Sequence, residues 1–142
     1  MADSVKVEYL YPPTIDGQVD EFSGNRRVIV RLSGVSDGTG ETGVTKIRLS
    51  DLRINGKAPT RSAAEWIQFS ASGMVVLLYW DRSPAAEIYR VSSDDSGSID
   101  WTQFGGKVDP GGDDRTGDVL ITTTETDNGD TYDITLCLRL KE

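Results

Sequence analysis

Residues 131–140 read Thr-Tyr-Asp-Ile-Thr-Leu-Cys-Leu-Arg-Leu. Ile134, Leu136, Leu138 and Leu140 fall on one side of an extended chain, and Thr135, Cys137 and Arg139 on the other. That two-residue period predicts a strand with one face on a core. It also makes Cys137 an ordinary sheet residue, because nothing around it would lower a thiol pKa. Just upstream, Asp118 to Thr124 forms a second β-branched run, and Glu125 to Asp130 between them contains Asn128-Gly129. Asn-Gly tolerates positive φ, so this spacing predicts a hairpin.

Working outward, Val5 to Tyr11 alternates Val5, Val7, Tyr9 and Tyr11 against Lys6, Glu8 and Leu10, and Arg26 to Leu32 alternates Val28, Val30 and Leu32 against Arg27, Ile29 and Arg31. Met74 to Trp80 is apolar throughout, which predicts a central strand covered on both faces. Shorter strands are expected within Val44 to Leu52 (where Ile47 and Leu49 share a face), Trp66 to Phe69, Ala86 to Val91 and Ile99 to Trp101. Turn signals separate them at Ser36–Gly43, Asn55-Gly56, Ser83-Pro84 and Ser92–Gly97. The most helix-like piece is Thr60 to Trp66, where Ser62 and Glu65 match a capping box. The predicted fold is therefore all-β: an antiparallel β-sandwich or jelly-roll-like arrangement of eight or nine short strands with at most one short helix. An extended arm over residues 1–25 precedes a sandwich domain over residues 26–142.

The chain has 142 residues, a net charge of −8, no histidine and a single cysteine. Histidine-dependent triads, imidazole ligands and internal disulfides are excluded. The N-terminus has no apolar signal region, and the longest apolar run is far short of the about 20 residues a spanning helix needs, so no membrane role is expected. Residues 1–71 carry nine basic and nine acidic side chains, and residues 72–142 carry six and fourteen. An acidic half repels phosphate backbones, and the small set Arg26, Arg27, Arg31, Arg48 and Arg53 does not make nucleic acid an expected partner.

Asp81 and Glu87 could be a glycosidase pair, but they read better as solvated strand-end groups. Asp109–Asp114 and Asp127–Asp130 offer oxygen ligands, yet neither has the spacing of a calcium loop, and Asp, Asn and Gly are ordinary turn residues. The glycines of residues 34–43 lack the Gly-Lys-Ser/Thr ending of a phosphate cradle. No catalytic, cofactor or metal residue is assigned and no cofactor is expected. Trp66, Trp80 and Trp101 could form a sugar-stacking platform, although Trp80 belongs in a core. Tyr9 to Phe22 is extended and proline-containing. Its Tyr9, Tyr11, Pro12, Pro13, Ile15 and Phe22 are the candidate partner-contacting residues, with the loop over residues 34–43 as a second contact.

Ile99-Asp-Trp-Thr-Gln-Phe-Gly-Gly106, Thr116-Gly-Asp-Val-Leu-Ile-Thr-Thr-Thr124 and Thr131–Lys141 together resemble the C-terminal end of capsid decoration (cement) proteins of tailed bacteriophages. The resemblance covers roughly the last 45 residues and carries over no functional residue. It implies a non-enzymatic virion protein, made in the host cytoplasm, that binds the capsid exterior, bridges major capsid protein subunits and forms a homo-oligomer (dimer or trimer). Many small contacts would then add up over a symmetric lattice. The alternatives are another virion part (tail, adaptor or fibre) and a carbohydrate-binding β-sandwich module.

Overall fold

The computed structural model describes residues 4–11, 27–49, 61–82, 86–110, 115–124 and 126–141. Ten strands run through them: β1 (Ser4–Tyr11), β2 (Arg27–Asp37), β3 (Val44–Ile47), β4 (Arg61–Ser72), β5 (Val75–Arg82), β6 (Ala86–Val91), β7 (Ser96–Asp100), β8 (Lys107–Val108), β9 (Arg115–Thr124) and β10 (Asn128–Lys141). The larger sheet has the order β1-β2-β10-β4-β7, with β8 also paired to β4, and the smaller sheet has the order β3-β9-β5-β6. Every pairing is antiparallel. The architecture is a β-sandwich, with a 3-10 turn at Thr102–Phe104.

Alternation drives the assembly. Val28, Val30 and Leu32 of β2, Ile134, Leu136, Leu138 and Leu140 of β10, and Ile67 and Phe69 of β4 project inward from the larger sheet. They meet Val76, Leu78 and Trp80 of β5, Val119 and Ile121 of β9, and Ile88 of β6. Each such side chain contributes about 1.5–3 kcal/mol by leaving water.

Three expectations are corrected. First, residues 61–66 are strand, not a helical turn. The capping-box side chains have tertiary uses instead: Ser62 Oγ accepts the Trp80 indole N–H at 3.1 Å, and Glu65 takes Arg27 of β2. Second, β9 and β10 do not form a hairpin. β9 pairs with β3 and β5, whereas β10 pairs with β2 and β4. Both carry a buried apolar face, so the chain passes from one sheet to the other between Thr124 and Asn128, which already pairs with Asp37 of β2, and those faces are set against each other. Third, β5 is not covered on both sides. Val76, Leu78 and Trp80 are buried, but Val75, Leu77 and Tyr79 are half-buried on the outer face. There the neighbouring β9 shields them laterally, with the Tyr79 hydroxyl 2.9 Å from that of Thr122.

One end of the sandwich encloses a polar cluster. Tyr132 donates to Glu41 Oε1 at 2.7 Å, and Lys46 Nζ sits 2.5 Å from Glu41 Oε2. The Glu41 N–H donates to the Thr123 hydroxyl, and its carbonyl accepts the Thr123 N–H. All four residues are buried. The charges are tolerable there because they face each other and are hydrogen-bonded.

Candidate binding face

The outward surface of the larger sheet is built by strand register. Thr135 stands opposite Arg31 on one side and Gln68 on the other, and Gln68 stands opposite Ser98. The result is a row Arg31–Thr135–Gln68–Ser98 across β2, β10, β4 and β7. Two residues along, roughly 7 Å away at strand spacing, runs the row Ser33–Asp133–Ser70–Ser96. Two residues the other way lies Ile29–Cys137–Trp66–Asp100. Small serines beside a long arginine and glutamine leave a groove of about 390 Å³ lined by Arg31, Gln68, Ser70, Ser98, Asp133 and Thr135.

Arg31 and Asp133 form a two-pronged pair at the groove, Nε to Oδ1 at 3.0 Å and Nη2 to Oδ2 at 2.6 Å. This carboxylate raises the guanidinium pKa, first through the hydrogen bond and then through its charge. With side chains 44% and 41% exposed, such a pair contributes little to folding. What it does provide is a planar set of donors and acceptors held in one orientation. Charges on this face are matched elsewhere too. Arg27 binds Glu65, and Lys6 of β1 lies 3.3 Å from Glu8.

Cys137 lies on this face beneath Glu65 and Arg27, with its Sγ 3.9 Å from Glu65 Oε1. Burial, followed by the negative charge of Glu65, pushes its thiol up to about 11. It is an inert sheet residue, as the alternation implies.

The three tryptophans do not share a surface. Trp80 is buried and Trp66 stands on the outward face, while Trp101 packs edge-on to Tyr89 at 6.4 Å with Lys107 Nζ 5.8 Å above its ring. Asp81 and Glu87 go to separate partners, Asp81 accepting the Thr116 hydroxyl at 2.7 Å and Glu87 lying 3.6 Å from Arg90. The Asp130 carboxylate accepts the Asp127 N–H at 2.8 Å while the Asp130 N–H donates to the Asp127 carbonyl, Asp109 is buried against β4, and residues 111–114 lie outside the described residues. Among the described residues, no three His, Cys, Asp or Glu side chains gather as a metal site. Of the basic set, Arg27 and Arg31 are bound to carboxylates, Arg48 is exposed, and Arg26 and Arg53 lie outside the described residues.

Of the partner-contacting candidates, Tyr9 and Tyr11 lie on β1, hydrogen-bonded into the sheet beside β2. Pro12, Pro13, Ile15 and Phe22 lie outside the described residues. Residues 34–37 belong to β2, leaving residues 38–43 as the loop. Sequence reading misses the groove residues. The signal for them is the polar half of each alternation in β2, β4 and β10, but it does not say which strands are neighbours.

No family model matches the sequence, and no curated protein matches it. Among solved structures, a mutant of a family 29 carbohydrate-binding module aligns with 99% of this chain and 87% of its own, at a TM-score of 0.39 and 10% identity. A second mutant of that module, in complex with cellulohexaose, aligns with 99% and 92%, at a TM-score of 0.38 and 12% identity.

Proposed function

We propose that this protein is a non-catalytic β-sandwich binding module that takes a neutral polysaccharide chain along the outward face of its larger sheet. The observation that carries this reading is the groove across β2, β10, β4 and β7. It sets a guanidinium, a carboxylate, an amide and a line of hydroxyls in fixed register, one row from Trp66. Sugar hydroxyls both donate and accept, so they match planar groups that do the same. Sugar rings present C–H faces that pack on an indole. The Arg31–Asp133 pair at the groove favours a neutral ligand, since its guanidinium is already matched by a carboxylate. The test is gel retardation and calorimetry across soluble neutral polysaccharides. The expected result is retardation by at least one glycan, lost in Gln68→Ala and Trp66→Ala with unchanged circular dichroism. No response to any glycan overturns the reading.

A second reading, the capsid-surface role implied by the C-terminal resemblance, is favoured by one observation. Val5, Val7 and Leu10 are 43%, 37% and 45% exposed on edge strand β1, apolar surface of the kind a partner covers. Purified protein mixed with undecorated expanded phage heads should then co-sediment. Recovery entirely in the supernatant removes this reading.

A further inference from the structure

Among the described residues no strand lies beyond β1 in the larger sheet. Val5 and Val7 stand in register with Gly34 and Leu32, on the core side of that sheet. They nevertheless remain 43% and 37% exposed, so among the described residues no layer fully covers this side of β1. An edge of this kind, open in its backbone among the described residues and apolar on one face, is a template for another strand. Natural edges are blunted with unpaired charge; here the one lysine, Lys6, is answered by Glu8 at 3.3 Å.

The sequence of β1, Ser-Val-Lys-Val-Glu-Tyr-Leu-Tyr, is self-complementary about Val7. Laid antiparallel on a second β1 with a two-fold axis through Val7, it sets Lys6 against Glu8 of the second copy and Glu8 against Lys6. Val7 meets Val7, and Val5 stands opposite position 9. Directly opposed residues of an antiparallel pair share a face, and opposite charges there are favourable where like charges are not. The arrangement is isologous, as a two-fold contact requires. We infer that β1 is a homodimerisation edge, pairing antiparallel with the β1 of a second copy of this chain about Val7 and joining the two larger sheets into one. This inference is independent of what the groove binds.

The strand is 8 residues long, about 26 Å at strand rise, so the contact is small and the dimer should form at protein concentrations on the order of 100 μM. Sedimentation velocity across a concentration series is the experiment, with circular dichroism confirming the fold of every variant. The wild type should shift from monomer to dimer. Glu8→Lys places Lys beside Lys at both charge positions, and Lys6→Glu places Glu beside Glu. Each variant alone should stay monomeric, and an equimolar mixture should recover a dimer containing one of each. A wild type that stays monomeric at every concentration, a trimer, single variants that dimerise like the wild type, or a mixture that does not recover the dimer would each overturn the inference.

Discussion

Gly34 sits where no side chain fits. A Cβ there would lie 2.6 Å from Cε2 of the Tyr132 ring, and that ring cannot swing away without breaking its bond to Glu41. Gly34→Ala should therefore destabilise by about 1–3 kcal/mol, measured by urea denaturation. A change under a few tenths would mean the ring moves freely. The same cluster makes Lys46→Met costly, about 3–5 kcal/mol, because Glu41 would lose its counter-charge while buried. At Cys137 the folded pKa of about 11 lies above the ordinary thiol value. The fold thus favours the protonated form, and its contribution is complete below about pH 9 and lost as pH rises through 11. A thiol reagent at pH 8 should leave the native protein unmodified and label it fully in denaturant. Rapid labelling of the folded protein would contradict the burial of this residue.

At the scale of the element, β10 and β2 were legible from alternation alone, because Val28, Val30, Leu32, Ile134, Leu136, Leu138 and Leu140 all turn inward and nothing local competes. Residues 61–66 were not. Two alanines and a Ser-x-x-Glu spacing are local helix signals, but here Ser62 and Glu65 answer Trp80 and Arg27, which are far away in sequence. The Asn128-Gly129 signal was legible as a local bend, but it opens β10 rather than closing a hairpin. An Asn-Gly pair fixes local backbone, whereas the choice between a hairpin and a sheet-to-sheet crossing depends on which faces must be buried together. The unbroken Met74–Trp80 run hid a two-sided strand, since half-burial beside large neighbours suits valine, leucine and tyrosine as well as full burial does. Leu78→Ala should cost about 2–5 kcal/mol, and Leu77→Ala, on the outer face of the same strand, less than half of that. Equal losses would show that both faces of β5 are packed alike.

For the whole molecule, the sandwich was readable from turn spacing, but the groove was not. It exists only because register brings Arg31, Thr135, Gln68 and Ser98, drawn from residues 31 to 135, into one row. Its charges are paired, so binding should change little when salt is raised, unlike that of a phosphate-binding surface. A dimer joined through β1 would place both grooves on the same side of one continuous sheet, so a long chain could engage the two at once. The most direct measurement of the central claim is a two-dimensional amide NMR titration with a glycan that retards the protein in gels. Shifts should concentrate at residues 29–33, 66–70, 96–100 and 133–137, with β5 and β6 silent. Shifts confined to the smaller sheet, or none at saturating glycan, would contradict it.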